Sequence, residues 1–573
     1  MQILISFARL LLLLLMLSGI VFGEDASSGD AYAKFDQPSK TWVLGTSKIE
    51  EKLRFANGAY TAVSFENKLA HDQYAAAAQR SEEFRVTVNG DVYSGTTGRW
   101  TWKGATATVL SEGQVQLLVA LDNDILRVEK TYVVYSGTSI IRQWVTYKNI
   151  SKRSLKLSNP YFLAHRLRAD KAKELTLHYM TGGGYFTGSQ ILKDAALSSK
   201  YARTFDSTDK PERIEIGDVS YGYPLPWGSG AYMQWFCLEG ESSGGLFIGF
   251  DYYGRWAADI GNYYGAPGYL GIRVAGYEKA LDPGEALVTP KAFTGVFTGD
   301  LDNMGNELKD WQYRYLWDYK NNHYFAKTRY ATEMRWQYGK SDVAVGGGTE
   351  DNWDYRMASL FHSIEVMRYV GADILWQDAG WHDHLGDNDG PDFAATESYL
   401  NKSGMKLAVW WPLYSVSSAS TVYRRHPDWV SDPSNPDASN LDTSNKAVID
   451  YLLDQLDRKV MLWGDFQWRL DGTAVEPVNK SETPMLSEYH NVMNLLGEFR
   501  TRHPHSSIDI CSGGGNLMGF ETLRMSDVSQ LTDAGALYIA NYYSSYLFPP
   551  DVIDDWTRDD DFTWEHARSA LTM

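Results

Sequence analysis

The hydrophobic pattern of this chain changes near residue 300. Before that point, β-rich runs such as Gln114–Leu121, Leu126–Tyr135 and Ser139–Lys148 are separated by short turn sequences, which is typical of antiparallel strands. After it, helical stripes alternate with short apolar strands, which predicts a parallel sheet. We therefore expect a multidomain chain, in which an N-terminal antiparallel β-sandwich is followed by a (β/α)8 barrel of the TIM type.

The pattern predicts four segments along the 573 residues. Residues 1–23 have the charge and the apolar run of a secretory signal peptide, which predicts a secreted or periplasmic protein with no membrane association after cleavage. Residues 24–300 form the sandwich. In residues 301–330, Met304, Leu308, Trp311 and Tyr315 recur at helical spacing and predict a connecting helix. Residues 331–573 form the barrel.

About six barrel strands are visible in the sequence. They are the runs near Met334–Tyr338, "ADILWQ", "KLAVWW", "FQWRL", "IDIC" and Arg524–Ser526. A closed barrel of this type has eight strands. We therefore expect the C-terminal part of the barrel to be incomplete.

The composition narrows the class of partner. The net charge of −18 disfavours nucleic acid, and 20 Trp with 37 Tyr favour a carbohydrate. Two cysteines make no disulfide framework, and there is neither a G-x-S-x-G elbow nor a phosphate-binding loop. No cofactor is implied, and homo-oligomerisation stays open. His382, His384 and Asp387 could bind a metal, but their spacing fails the calcium-loop pattern, so no metal site is predicted.

Polar residues gather where the predicted barrel strands end, which is where barrel enzymes carry their reactive groups. Asp378 follows "ILWQ", Trp410 and Trp411 end "KLAVWW", Asp471 follows "WRL", and Cys511 opens "CSGGG". A further carboxylate, Asp527, lies in "RMSDVSQLTDAG". Paired carboxylates on either side of a sugar bond are the machinery of glycoside hydrolysis.

These motifs together resemble those of the melibiase-type α-galactosidases, glycoside hydrolase family 36. "QDAGW" matches the family's Asp-Asp-Gly-Trp, "WRLDG" stands at its Lys-Trp-Asp, and "CSGGGN" is similar to its Cys-Ser-Ser-Gly-Gly-Gly-Arg. "GMKLAVWW" continues to "HPDW" as in the family, and "RMSDVSQLTDA" stands for its Ser-Asp-Asn-Thr-Asp-Ala. Five ordered motifs over about 200 residues are jointly specific, although each alone is weak.

The resemblance implies a retaining α-galactosidase with Asp471 as nucleophile and Asp527 as general acid/base, about 5–5.5 Å apart. Arg469 lies two residues before Asp471 on the same side of the strand, so we expect its charge to keep the nucleophile ionised. The resemblance also implies a set of substrate-binding residues. These are Gln377, Asp378, Trp381, Trp410, Trp411, Arg469, Cys511, Ser512, Gly513, Gly514 and Arg524.

Two departures from the family pattern leave the substrate open. Gln377 replaces an aspartate and Arg469 replaces a lysine, and neither pair is equivalent in hydrogen bonding. Another α-glycosidase, such as an α-N-acetylgalactosaminidase, or an α-galactosyl transferase of the same fold is the alternative. A non-catalytic carbohydrate-binding protein, or a secreted structural β-protein, would belong to different classes.

Overall fold

The computed structural model describes most of the chain beyond residue 24. The described ranges are 25–97, 99–182, 192–198, 200–209, 230–240, 244–317, 331–333, 364–365, 368–369, 371–377, 384–387, 394–436, 440–471, 482–511, 515, 517–531 and 537–554. The predicted signal peptide, residues 1–23, lies outside them. Within the described part of the chain, no helix is long and apolar enough to cross a membrane.

The N-terminal region is built from antiparallel strands. They are β1 (Ala26–Ser28), β2 (Ala31–Asp36), β3 (Thr41–Gly45), β4 (Ile49–Ala56), β5 (Ala59–Asn67), β6 (Asp72–Ala76), β7 (Arg85–Val88), β8 (Asp91–Ser94), β9 (Thr101–Val109), β10 (Val115–Asp122), β11 (Leu126–Val134), β12 (Ile140–Asn149), β13 (Leu155–Arg166), β14 (Leu175–Thr181), β15 (Leu192–Ala196), β16 (Ala202–Asp206), β17 (Tyr232–Gly240), β18 (Gly245–Asp251), β19 (Trp256–Tyr263), β20 (Ala266–Val274), β21 (Glu278–Leu281), β22 (Ala286–Val288) and β23 (Lys291–Phe297).

These strands form three sheets. β1 to β6 pair in chain order, a ten-stranded sheet runs β15-β14-β17-β18-β23-β12-β11-β10-β9 with β22 on β12, and a seven-stranded sheet runs β16-β19-β20-β13-β7-β8 with β21 on β13. Alternate residues of β10 are buried from Val115 onward, which is the period-two pattern of a sheet with one face on the core. The three strands predicted from the turn signals coincide with β10, β11 and β12.

The C-terminal region is built on a parallel sheet. Its strands are β24 (Ala331–Glu333), β25 (Ile374–Gln377), β26 (Lys406–Trp410), β27 (Gln467–Leu470), β28 (Ser507–Ile510), β29 (Val528–Gln530) and β30 (Ile553–Asp554). They pair in chain order, as the strands of a (β/α)8 barrel do, and the described residues show no pairing of β24 with β30. The predicted order, an antiparallel β region followed by a barrel-type sheet, is confirmed.

Helices join and cover these strands. They are α1 (Ala169–Ala172), α2 (Leu301–Trp311), α3 (Ala394–Lys402), α4 (Thr421–Arg425), α5 (Lys446–Trp463), α6 (Glu482–Arg502), α7 (Phe520–Met525) and α8 (Leu537–Ser544). Short 3-10 helices span Ala77–Gln79, Pro427–Trp429 and Pro550–Val552, and one turn of π-helix spans Gln312–Leu316. The connecting helix is α2, whose start is fixed by a reciprocal cap between Asp300 and Asn303.

One of the predicted barrel strands differs from the structure. The strand predicted near Met334–Tyr338 lies outside the described residues, directly after β24. The residues predicted as a strand near Arg524–Ser526 instead end helix α7, and the strand of that unit, β29, begins only at Val528. This shift moves the strand from one side of Asp527 to the other.

Candidate active site

The C-terminal ends of the parallel strands meet at one edge of the sheet, here called the upper edge. Gln377 ends β25, Trp410 ends β26, Asp471 follows β27, and Cys511 follows β28. Gln530 ends β29. Because neighbouring parallel strands run in the same direction, these residues lie along the same rim, as the sequence predicted for the first four.

Asp471 is half-buried at this rim and accepts a hydrogen bond from an indole. The Nε1–H of Trp410, one strand away, donates to Oδ2 of Asp471 over 2.7 Å. The strand pairing produces this contact, because Trp410 is the register partner of Arg469, two residues before Asp471. Hydrogen bonds to an ionised acceptor are stronger than neutral ones, so the indole orients the carboxylate at the edge.

Arg469 lies beneath the rim and is almost fully buried, with 2% of its surface exposed. Its Nη1 lies 2.5 Å from Oδ2 of Asp509, its Nη2 donates to the side-chain oxygen of Gln530, and its guanidinium lies 3.9 Å from the centre of the Trp376 ring. A buried arginine needs such a charge partner. Arg469 therefore forms a buried ion pair with Asp509, and its predicted role beside Asp471 stays a prediction.

Trp410 ends β26 and Trp411 follows it, and the two side chains have different environments because successive side chains of an extended chain face opposite sides. Trp410 faces the rim and contacts Asp471. Trp411 is 3% exposed and packs in the core against Trp463 of α5, with 6.2 Å between the ring centres. The structure does not support the predicted sugar-stacking role of Trp411, because the residue is buried in the core.

The remaining predicted substrate residues near the rim are described only in part. Gln377 is 6% exposed and Cys511 is 5% exposed, and the Cys511 amide donates to the Leu470 carbonyl over 2.9 Å. Asp378, Trp381, Ser512, Gly513 and Gly514 lie outside the described residues. Both cysteines of the chain, Cys237 and Cys511, are buried, and neither is part of a disulfide bond.

Gly515 closes the turn after β28 and has to be glycine. Its φ of +94° lies in the left-handed region, and a Cβ there would come 2.1 Å from the carbonyl oxygen of Leu531. Its amide donates to the Cys511 carbonyl over 2.7 Å. Only glycine allows this close packing of the turn against the Leu531 carbonyl.

Asp527 lies at the opposite, lower edge of the sheet. It precedes β29, it is 3% exposed, and its Oδ2 accepts the Ile508 amide over 2.6 Å. Its Oδ1 lies 3.5 Å from Nη2 of Arg500. The register places Asp527 level with Ile508 and Trp468, three residues below Asp471 and two strands away, or roughly 10 Å along the strand direction.

That position contradicts the predicted role of Asp527 as general acid/base. A retaining pair has to place both carboxyl groups about 5–5.5 Å apart around one bond, and these two occupy opposite edges. The error came from the strand boundary: a strand ending at Ser526 would have put Asp527 on the upper rim. Sequence reasoning overlooked Asp533, which comes three residues after the end of β29 and lies outside the described residues.

Arg524 was predicted to bind substrate, but its described contacts are with the fold. It lies on α7 and its Nη2 donates to Oε1 of Glu521 over 2.6 Å. The other oxygen of Glu521 accepts from Arg142 of β12 over 2.6 Å, and Arg142 also pairs with Asp251 of β18. These four residues form a junction network between the β region and the barrel region, in which Arg142, Asp251 and Glu521 are buried and Arg524 is partly exposed. The cationic neighbours lower the pKa of Glu521 despite its burial.

Two groups of residues bear on metal binding. Asp387 accepts the Thr421 amide over 2.5 Å and so caps α4, while His382 lies outside the described residues. Among the described residues, Glu51, Glu83 and His165 bring three ligand atoms within 4.8 Å of one another inside the sandwich. The Lys130 ammonium donates to the Glu83 carbonyl there, so this group already contains a compensating cation.

The barrel region is similar in sequence to a known protein family and to α-galactosidases. Residues 323–558 match the family model described as Melibiase. The α-galactosidase AgaA of Geobacillus stearothermophilus is 22% identical over 349 aligned residues, covering 54% of this chain and 45% of that protein. The α-galactosidase of Escherichia coli is 24% identical over 307 residues, covering 48% and 40%. The chain spans less than half the length of these two relatives.

Solved structures match over nearly the whole chain. The family 36 α-galactosidase AgaB of Geobacillus stearothermophilus superposes with a TM-score of 0.71 at 15% identity, covering 91% of this chain and 78% of that one. The galactosidase domain of the α-galactosidase–sucrose kinase AgaSK gives 0.75 at 13% identity, covering 94% and 81%. The fold of this chain is therefore that of the family 36 α-galactosidases, and its resemblance to the melibiase-type members of that family is confirmed.

Proposed function

We propose that this chain is a glycoside hydrolase that cleaves terminal α-galactosides with retention of configuration. The observation that carries the proposal is Asp471, a carboxylate at the upper rim of a barrel-type sheet, half-buried and oriented by the Trp410 indole over 2.7 Å. The melibiase match includes this strand. Variants of AgaA have been solved in complex with stachyose and with raffinose, both oligosaccharides, which supports the same class of substrate here.

In the proposed reaction, Asp471 attacks the anomeric carbon. A bond forms between its carboxylate oxygen and that carbon, the glycosidic bond breaks, and the leaving oxygen takes a proton from a carboxylic acid. We assign this acid to Asp533 rather than Asp527, because Asp533 follows the C-terminal end of β29 as Asp471 follows that of β27. Water then attacks the glycosyl ester and returns the proton to Asp533, which frees Asp471.

The residues at the rim set the sugar preference in this proposal. Gln377 presents an amide, which donates as well as accepts, at a position where the resembled family has a carboxylate. Gln377→Asp should therefore raise activity on α-galactosides relative to other α-glycosides. If the native protein prefers another α-glycoside and the substitution lowers α-galactoside cleavage, the alternative of a different α-glycosidase is favoured.

Turnover of aryl α-galactosides tests the proposed function. Asp471→Ala should lower kcat/KM on the order of 10⁴-fold, as loss of a central catalytic group does, and azide should restore part of the rate by acting as a substitute nucleophile. The matched control is Asp465→Ala, which removes a carboxylate from the lower end of the same strand and should leave turnover unchanged. Full activity of Asp471→Ala without azide would disprove the assignment, and absence of turnover in the native protein would favour a binding protein.

We also propose that the protein is exported, because residues 1–23 have the features of a signal peptide. N-terminal sequencing of the protein recovered from the periplasm or the medium should begin near Glu24. A mature protein that keeps Met1 and stays inside the cell would contradict this.

A further inference from the structure

A cleft of about 470 Å³ opens on the β region and contains no residue of the barrel. It is called the tyrosine cleft here and is lined by three tyrosines, two arginines and one aspartate. The residues used below are Arg85, Tyr161, Asp259, Tyr263, Tyr264 and Arg273. They come from β7, β13, β19, β20 and the turn between the last two, all within the seven-stranded sheet. Its volume is that of a site for a small ligand.

The floor of the tyrosine cleft is a preorganised polar network around Asp259. Its Oδ2 accepts the Tyr161 hydroxyl over 2.5 Å, and its Oδ1 accepts the Thr204 hydroxyl over 2.7 Å. Nε of Arg273 lies 3.2 Å from the Tyr161 hydroxyl oxygen and 3.4 Å from Oδ2 of Asp259. Donors and acceptors fixed in this way bind hydroxyl groups without further loss of side-chain entropy.

Tyr264 lies at the rim of the cleft and has a positive φ, which is an unfavourable backbone conformation for a tyrosine. Tyr264 and Gly265 form the two-residue turn between β19 and β20, with φ of +54° and +80°. Turns of this geometry favour Asn-Gly. The same molecule uses Asn57–Gly58 between β4 and β5 and Asn89–Gly90 between β7 and β8, each with both φ values positive.

The tyrosine in this turn presents its ring to the cleft. Tyr264 is 48% exposed, and the Arg85 guanidinium lies 3.7 Å from the centre of its ring. A positive φ is unfavourable for an aromatic residue and is found mainly where strain serves a function. An exposed ring beside fixed hydroxyl-binding groups is the arrangement that receives the apolar C–H face of a sugar ring while its hydroxyls are hydrogen-bonded.

The charges of the cleft favour a neutral ligand. Arg85 is paired with Glu82 over 2.9 Å, and Arg273 is paired with Asp259, so neither guanidinium needs an anion from outside. We propose that the tyrosine cleft binds a neutral saccharide unit of a glycan, apart from the barrel site. The choice of saccharide over other hydroxyl-rich ligands rests on the proposed function, whereas the existence of the site rests on the cleft alone.

Affinity electrophoresis of the full chain in native gels containing galactomannan, xyloglucan or starch tests this. All variants carry Asp471→Asn to suppress turnover of the polymer. We expect at least one polysaccharide to retard the protein, and Tyr264→Asn to raise the apparent Kd at least tenfold. Tyr542→Asn removes a tyrosine that is 60% exposed on α8 and should change nothing. Because Asn suits the turn, Tyr264→Asn should also keep or raise Tm, so a loss of retardation would not reflect misfolding.

Three outcomes separate the proposals. Retardation that is equal with and without Tyr264→Asn, or no retardation by any of the three polymers, overturns the tyrosine cleft as a saccharide site. In the otherwise native protein, Tyr264→Asn should leave kcat/KM on a small aryl α-galactoside unchanged, and a large loss there would also contradict a separate site. Absence of aryl α-galactoside turnover in the native protein, with retardation that depends on Tyr264, would refute only the proposed hydrolase.

Discussion

The two edges of the parallel sheet carry carboxylates in opposite environments. At the upper edge, Asp471 is half-buried and its described partner is a side-chain donor, the Trp410 indole. At the lower edge, Asp527 is 3% exposed and accepts a backbone amide of the neighbouring strand. A carboxylate that holds two strands together stabilises the fold, whereas one at the upper rim lies where barrel enzymes carry their reactive groups. Both residues are aspartates, so the edge of the sheet at which each one lies, and not the residue type, indicates whether it serves function or stability.

The largest effect expected from this comparison concerns the general acid. Asp533→Ala should lower kcat on α-galactosides with poor leaving groups by about 10²–10⁴-fold, the usual contribution of a general acid, and should affect activated aryl α-galactosides much less. Steady-state kinetics on a series of leaving groups measures this as a steeper dependence on the pKa of the leaving group.

Asp527→Asn is the matched control, because it changes a carboxylate of the same sequence motif at the other edge. Its kcat per folded molecule should stay close to that of the native protein. The assignment of the two aspartates to different edges and roles would be wrong if Asp527→Asn made kcat depend more steeply on the pKa of the leaving group and Asp533→Ala did not.

A smaller effect is expected on stability. Asp527→Ala removes the acceptor of the Ile508 amide and the partner of Arg500, and a buried donor left without an acceptor costs about 1–3 kcal/mol. Urea denaturation should show this loss as a lower midpoint with an unchanged slope. An unchanged midpoint would mean that Asp527 is not needed by the fold, and the contrast with Asp471 would lose its basis.

The smallest effect concerns a third carboxylate, Glu397 of α3, which lies beside Lys406 at the lower end of β26. It is 2% exposed, and burial raises its pKa to about 7. A carboxyl group whose pKa is higher in the folded state destabilises the fold increasingly as pH rises from about 4.5, its ordinary value, to about 7. Glu397→Gln should therefore raise Tm more at pH 8 than at pH 4.5. The corresponding gain in the free energy of unfolding is at most about 3 kcal/mol.

Thermal melts of Glu397→Gln and the native protein across this pH range give the measurement. Glu365→Gln, at a half-exposed residue nearby in the chain, serves as the control and should show no such trend. A stabilisation that is the same at both pH values would contradict the raised pKa.

The motifs were sufficient to place Asp471, the proposed nucleophile, at the end of a strand, but they did not place the proposed general acid. Asp471 follows a strand whose residues are all buried, so the end of that strand could be read from the apolar run. Around Asp527, the apolar residues Met525, Val528 and Leu531 are each separated by two polar residues, which is not a clear strand pattern. Phe520–Met525 adopts a helix because Phe520 and Leu523 pack into the core. Nothing in the local sequence distinguishes that helix end from a strand.

The order of the two folds, the α2 helix, three strands of the β region and the strand end at Asp471 could be predicted from the chain alone, because hydrophobic period and turn residues are local signals. The edge that Asp527 occupies, the burial of Trp411, the place of Arg524 in the junction network and the pairing of Arg469 with Asp509 could not be predicted in this way. Each of these depends on strand register and on contacts between residues far apart in the chain, for which the free energy of packing, rather than local preference, selects the arrangement.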